Sequence, residues 1–427
     1  MIVELITTGS ELLLGRVLNT HSQWIGRRMA DLGMPLSRHV TVPDTAEAIC
    51  GAVQTALSRS DLVITTGGLG PTSDDITRER IAGLLGTRLV FHPEVEASIR
   101  AFFESRQRPM PEKTRVEAWV PEGATYFLNQ HGTAPGLAFD LSPNPFRSEG
   151  GRSGLILLPG PPRELHPMFD TQIRPWIASR WGSAEGFVTK TYKTTGLGES
   201  LMEARLEGHL APLIAEGLQV GYCARVGEVD VRFSAAGTKA SELLSTASAL
   251  LFREAGEFVF GEGEDSLELV LVRTLTQRSQ TLAIAESCTG GHLANRITNV
   301  PGASAVLLAG VVSYSNAAKV TLLGVPEMLL AEHGAVSEPV ARAMVEGVRR
   351  VTGADYALST TGIAGPGGGS EEKPVGTVFI GISGPHGTTV RKQLNRFDRQ
   401  TFKYSTAQQA FNQLRLALGT SPYTGPR

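Results

Sequence analysis

Apolar positions along the chain fall into two rhythms, continuous short runs and helical spacings, and their order predicts the architecture. Ile2 to Thr8 is a run without charge at its centre beyond Glu4 and reads as a buried strand ending at Gly9-Ser10-Glu11. Thr20-x-x-Gln23 is a capping pattern, and Ile25, Met29 and Leu32 then repeat on one helical face that stops at Gly33. A strand from Leu36 to Val42 follows. Asp44-x-x-Glu47 opens a helix with Ala46, Ile49, Val53 and Leu57 inward, and Asp61 to Thr66 is the next strand. Strand, helix, strand, helix, strand predicts a parallel α/β sheet covered on both faces.

From about Phe187 the pattern changes to strand (188–194), helix (199–206), two strands (218–223, 229–235) and a helix (241–254), a small α+β unit. Val229-Asp230-Val231-Arg232-Phe233 alternates, which predicts one wet face. The polar link Gly261-Glu262-Gly263-Glu264 reads as a domain boundary. Beyond it, Asp265-x-x-Glu268 caps a helix, and apolar strands are expected at 281–285, 305–312, 354–359, 373–382 and 390–394. Ser337 is expected to cap a helix to Val351, a final helix follows Arg399, and the tail from Ser421 is expected to fray. The reading is α/β throughout, with domains at 1–172, 173–260 and 261–420.

Composition narrows the partners. The 427 residues are 41% hydrophobic and 19% charged, as in a globular protein with real cores. With 40 basic and 42 acidic residues the net charge is -2, so no basic footprint for nucleic acid exists. Cys50, Cys223 and Cys288 have no C-x-x-C spacing, which argues against a disulfide framework or zinc cluster and suits a reducing compartment. No apolar run approaches membrane-spanning length, and Met1-Ile2-Val3-Glu4 is not a signal segment, so a cytoplasmic protein is expected.

Candidate chemistry sits where strands run into glycines. Thr281 to Ala285 delivers Glu286, Ser287, Cys288, Thr289, Gly290 and Gly291 to a helix start, where unpaired amides point at whatever the serine holds. A capped helix with a tight turn would look the same. A serine hydroxyl needs a base, yet no G-x-S-x-G elbow is present and neither His292 nor His333 stands in a triad-like context. A Ser–Lys pairing is the alternative, and Lys319 follows an apolar strand directly, with Tyr314 close enough in sequence to relay a proton. That Lys319 snorkels from an exposed helix stands equally open. The loop Gly362 to Ser370 could wrap phosphate or ribose, with Arg399 as a bidentate phosphate partner, or could be a disordered surface lid. In the first domain, Gly67-Gly68-Leu69-Gly70 lets backbone amides approach an anion, and Asp74 and Asp75 could hold a divalent cation; a turn with an Asp cap is the plain rival. Neither a P-loop nor a dinucleotide fingerprint occurs. Together these parts describe attack on a carbonyl within a phosphorylated ligand.

Over essentially its whole length the chain resembles the competence/damage-inducible protein A (CinA) family. The residues that carry the likeness are 8–15, 66–75, 158–164, 285–291, 314–319, 333–339 and 362–377, in that order. The resemblance implies a MogA/MoaB-like first domain linked to metal-dependent ADP-ribose pyrophosphatase activity. It implies a KH-like middle domain, where Gly196-Leu197-Gly198-Glu199 is not a G-x-x-G clamp, so RNA is not an expected partner. The third domain is similar to nicotinamide mononucleotide deamidase, an enzyme of pyridine-nucleotide salvage. Carried over residue by residue, Ser287 is the nucleophile and Lys319 its base, with Tyr314, Thr361 and Arg399 in support; Phe397 stands where the family has glycine. Substrate would be held by Glu286, Thr289, Gly290, Gly291, Ser337, Gly362, Gly365 and Gly367, with the Gly290 and Gly291 amides facing the oxyanion. In the first domain Glu11, Gly68 and Gly70 would bind substrate, Asp75 would be catalytic, and Asp74 with Asp75 would hold Mg²⁺ or Co²⁺. The amidase half needs no cofactor, and a homodimer is expected. The rival reading is a non-catalytic nucleotide or molybdopterin-like adaptor serving competence or the response to DNA damage.

Overall fold

Strands Val3–Thr8, Leu62–Thr66 and Ser153–Leu158 are buried at every position, because each lies in the middle of one sheet with helices on both faces. The computed structural model describes residues 1–148, 150–182 and 187–419; the tail from Ser421 lies outside them. The sheet has six strands in the order Arg38–Val42, Val3–Thr8, Leu62–Thr66, Ser153–Leu158, Gly136–Leu141, Thr125–Phe127. The first four run parallel, Gly136–Leu141 runs antiparallel to them, and Thr125–Phe127 runs antiparallel to Gly136–Leu141. One core packs Val3, Leu5, Ile25 and Met29 under the helix His21–Asp31, and the other packs Ile6, Ile49, Val53 and Leu57 under Ala46–Leu57.

The expected boundary at residue 173 is too early. Helix Arg174–Trp181 places Trp176 and Ile177 in the same core as Val3 and Ile25, and the first compact unit runs Met1–Val188. The capping residues also differ by one step. Thr20 makes no side-chain cap bond, whereas Thr45, not Asp44, accepts from the Ala48 amide, and Ser266, not Asp265, accepts from Leu269. Asp44 instead receives the Ser10 amide. Either of two adjacent polar residues can cap, and only the entry angle of the chain decides.

The second unit, Thr189–Arg427, contains two sheets. The first has the order Gln219–Arg225, Glu228–Ala235, Val188–Thr195, Val259–Glu262. Its last strand includes Gly261 and Glu262, so the supposed linker is partly a paired strand. The polar face of the alternating strand is wet only in part: Arg232 is exposed, but Asp230 is buried in an ion pair with Lys193 at 3.0 Å. The two sheets are joined through Arg415, which donates to the carbonyls of Val259 (3.2 Å) and Glu257 (2.8 Å), and through Gln408, which donates to Glu228.

The second sheet has five strands in the order Leu307–Val312, Leu282–Glu286, Tyr356–Gly362, Thr377–Gly384, Gly387–Leu394. The first three are parallel, so their carboxyl ends share one edge, the usual place for a ligand in an open α/β sheet. Helices Leu267–Gln277 and Arg399–Ala417 cover one face with Leu271, Phe402 and Phe411, and Glu338–Thr352 covers the other with Val340, Met344 and Val345. Gly347 lets this last helix approach its neighbour: a Cβ there would lie 2.1 Å from the Leu323 carbonyl oxygen. Alanine has the better helix propensity by about 1 kcal/mol, but overpacking against backbone costs about 1–3 kcal/mol or more. Gly347→Ala is therefore expected to lower the melting temperature of this unit; a raised value would refute the close approach.

Candidate active sites

The apolar strand Leu282–Glu286 ends in a corner built by its own last side chain. The Glu286 carboxylate is buried and accepts the amides of Leu293 (3.1 Å) and Ala294 (2.9 Å), fastening the helix His292–Thr298 to the strand end. Glu286 therefore positions the corner and does not face a substrate, because both its oxygens are turned to the helix. Between strand and helix, Gly290 (φ 60°) and Gly291 (φ 90°) adopt left-handed backbone that other residues resist. The Ser287 amide donates to the Thr360 carbonyl at 2.9 Å, and the Thr289 and Thr360 hydroxyls meet at 2.7 Å, so the corner is locked to the neighbouring strand.

Lys319 is 1% exposed, so it does not snorkel. Its helix, Asn316–Leu323, starts just past the carboxyl end of Leu307–Val312, and the side chain turns inward under the adjacent strand. Nζ lies 3.0 Å from Ser287 Oγ, 2.8 Å from the Ser313 carbonyl and 3.4 Å from the Tyr314 carbonyl. Burial pushes the Lys319 ammonium below the ordinary lysine range. Once deprotonated, the amine can give two protons to the two carbonyls and turn a lone pair toward Ser287. The adjacent Cys288 thiol is pushed by burial up to about 12 and stays protonated, so it does not compete as nucleophile.

The other expected residues surround this pair in different roles. The Gly290 amide donates to the Ser287 carbonyl (3.1 Å), so only the Gly291 amide of the expected pair has no acceptor among the described residues. Thr361 donates to Ala335 O (2.7 Å) and Ser337 to Gly334 O (2.8 Å); each braces the 333–339 loop, and Ser337 holds the expected N-cap position of its helix without a side-chain cap bond. Tyr314 directs its hydroxyl away from Lys319: it is 62% exposed and accepts from Arg399 at 3.0 Å. Arg399 also donates to Gly365 O at 3.0 Å, closing a surface clasp over the glycine loop. That loop is not a loose lid. Lys373 ties its far end to His333 O (2.9 Å), Gly362 is packed too tightly against Thr377 and Val378 for any Cβ, and Gly367 faces open space. Lys403, one helical turn past Arg399, was not singled out in the sequence. Its Nζ lies 3.7 Å from where a Gly290 Cβ would stand, and no hydrogen-bond or ion-pair partner engages it among the described residues. The spacing of Arg399 and Lys403 on one face was the available signal.

In the first unit the strand ends Thr8, Thr66 and Leu158 lead to a cleft of about 490 Å³, lined by Glu11, Gly68, Gly70, Asp74 and Asp75 among others. Gly68 (φ 69°) admits no side chain, because a Cβ would lie 2.1 Å from Thr77 Oγ1. Asp75 folds back over Gly70 and accepts the Thr72 amide at 3.0 Å. The Thr72 hydroxyl lies against both aspartates and holds Asp74 below the usual carboxylate range. Among the described residues no three His, Cys, Asp or Glu side chains converge to cage an ion. Adjacent carboxylates with a hydroxyl suit a hard cation that keeps waters and takes its remaining oxygens from substrate phosphates. Three further carboxyls line the cleft, those of Asp44, Glu117 and Glu164. Glu164, whose Oε2 accepts from Asn129 (2.9 Å), is raised by burial. Glu117 was illegible in the sequence, since it sits among Lys, Arg and Glu residues that read as a solvated face.

No helix among the described residues is long and apolar enough to cross a membrane. Three domain families match in series: the molybdopterin-binding domain at residues 4–179, the damage-inducible protein CinA KH domain at 189–284, and the CinA C-terminal domain at 264–418. A competence-damage inducible protein of Symbiobacterium thermophilum is 44% identical over 392 residues, covering 90% of this chain and 89% of that protein. A CinA-like protein of Akkermansia muciniphila is 42% identical over 423 residues, 99% of each chain. Among solved structures, a competence/damage inducible protein from Agrobacterium tumefaciens is 38% identical and covers 36% of this chain and 94% of its own, with a TM-score of 0.34. With the three matches in the expected order and near-complete coverage by relatives above 40% identity, the chain belongs to the CinA family.

Proposed function

We propose that the C-terminal half is a Ser–Lys amidase that converts nicotinamide mononucleotide to nicotinate mononucleotide and ammonia. The observation that carries this reading is the buried Lys319 amine 3.0 Å from Ser287 Oγ. Ser287 Oγ attacks the carboxamide carbon while Lys319 takes its proton, and the Gly291 amide faces the oxyanion; such a donor is worth about 3 kcal/mol. Lys319 returns the proton to the departing nitrogen, ammonia leaves, and the nicotinoyl group stays on Ser287 as an ester. Water then attacks the ester, Lys319 takes the water's proton and passes it back to Ser287, and the carboxylate product is released. Lys403, and Arg399 on release from its clasp, would meet the substrate phosphate. The adaptor reading gives no task to an amine buried against a serine, an arrangement whose desolvation costs free energy.

In the N-terminal half we propose metal-dependent hydrolysis of ADP-ribose at the Asp74–Asp75 cleft. Mg²⁺ or Co²⁺ held by these carboxylates would neutralise charge on the pyrophosphate. Gly68 and Gly70 keep side chains out of the way so that the backbone can approach the anion. Both activities fit a cytoplasmic, homodimeric enzyme of pyridine-nucleotide salvage acting on small nucleotides rather than nucleic acid. Ammonia release from nicotinamide mononucleotide by the wild type and by Ser287→Ala tests the first claim. Turnover by the wild type with a loss of about three orders of magnitude in the variant is expected. A silent wild type overturns the amidase reading.

A further inference from the structure

One wall of the N-terminal cleft carries a carboxyl group with half of its hydrogen bonding unused. Glu117 belongs to the short 3₁₀ stretch Glu112–Ala118 and is fully buried. Its Oε1 accepts from the Thr133 hydroxyl at 3.1 Å, while Oε2 has no partner at all among the described residues. Yet the residue lines the same cleft as Gly68, Gly70 and Asp75. A buried carboxylate with a bare oxygen is costly, and native structures rarely leave one without a reason.

The charged groups that act on Glu117 come from three directions. Arg78, on the helix Thr77–Leu84, favours the ionised form, but its guanidinium is already engaged by Leu69 O and Glu79. Glu164 and Asp75 oppose ionisation, and burial opposes it most, so the carboxyl is pushed up to about 8. At neutral pH the group is an acid. Because Oε1 already receives the Thr133 proton, the acid's own O–H belongs on Oε2, where it needs an acceptor.

We propose that Glu117 is a positioning residue that donates a hydrogen bond from Oε2 to a phosphoryl oxygen of an anionic ligand in this cleft. The inference rests on the reading of the cleft as a diphosphate site and adds a specific contact and a pH dependence to it. On the acid side of this raised pKa, about 8, the donor is present. Above it Glu117 ionises, loses the donor and sets a negative charge against the ligand, so affinity falls as pH rises.

The test is calorimetric binding of ADP-ribose without added metal, at pH 6.5 and 9.5, because its diphosphate does not itself titrate between these values. The wild type should bind about tenfold or more tightly at the lower pH, as expected for a hydrogen bond to a charged acceptor. Glu117→Gln keeps an N–H donor and should bind at both pH values with little change. Glu117→Ala should lose about tenfold at pH 6.5. Equal pH dependence in wild type and Glu117→Gln, or wild-type affinity in Glu117→Ala, overturns the proposal. Binding with this pattern but no turnover when Mg²⁺ is added leaves the Glu117 contact standing and removes the pyrophosphatase reading. No binding by any of the three proteins removes both.

Discussion

Lys319→Met should abolish ammonia release from nicotinamide mononucleotide, by about three orders of magnitude or more, and should leave the fold standing. Methionine fills a similar volume without a polar head, so the buried space stays packed, while the carbonyls of Ser313 and Tyr314 lose a donor. Lys319→Arg separates the two roles a cation could play. It keeps a positive charge for anion binding but cannot become neutral, so it should be as inactive as the methionine variant. Retained activity in Lys319→Arg would show that charge, not proton abstraction, is what the site uses. Since the serine and lysine act as a unit, Ser287→Ala/Lys319→Met should be no worse than either single variant.

The pH behaviour follows from the same burial. Lys319 has a pKa below its unfolded value, so the neutral base is available at lower pH than for a free lysine, and kcat/KM should rise as pH passes through this lowered value. For stability the sign is the same: between the folded and unfolded pKa values the unfolded chain binds more protons, so the contribution of Lys319 to stability rises with pH across that window. Lys319→Met should flatten both dependences. A profile of kcat/KM against pH and a parallel series of thermal melts would show whether the two lose their pH dependence together.

What the sequence made legible was the succession of strands and helices along the chain and the places where strands meet glycines. The Ser287 corner could be found because a continuous apolar run pointed into it, and the three parallel strand ends then bring residues 287, 313 and 361 to one edge. Lys319 could not be decided, since the first turn of a helix can face either way and only the packing of Asn316–Leu323 under the sheet edge turns the amine inward. Tyr314 was placed near the right residue but with the wrong atom: its carbonyl meets Lys319, while its hydroxyl serves Arg399. Glu117 carried no signal, because a buried acid within Glu-Lys-Thr-Arg-Val-Glu differs from a solvated one only in tertiary surroundings. The strand Val259–Glu262 failed for a related reason. Two glycines and two acids read as a link, and only pairing with Val188–Thr195 makes part of it a strand.

Asp75→Asn and Gly70→Ala should each reduce metal-dependent hydrolysis of ADP-ribose by about a hundredfold or more, the scale of losing one well-placed electrostatic group. Asp75→Asn keeps the shape and removes the charge that a cation would meet. Gly70→Ala acts on the same carboxylate from below, since a Cβ there would lie 2.5 Å from Asp75 Oδ2. The contrast with Gly347 decides what kind of damage results. At Gly347 the obstacle is a backbone carbonyl, so the fold suffers; at Gly70 it is the end of a side chain that can swing away, so the melting temperature should hold while the carboxylate moves. If Gly70 acts through Asp75, the double variant should be no slower than Asp75→Asn alone. Additive losses would mean that the glycine matters for its own backbone approach to the diphosphate. Full activity in Asp75→Asn would move the catalytic charge away from this loop altogether.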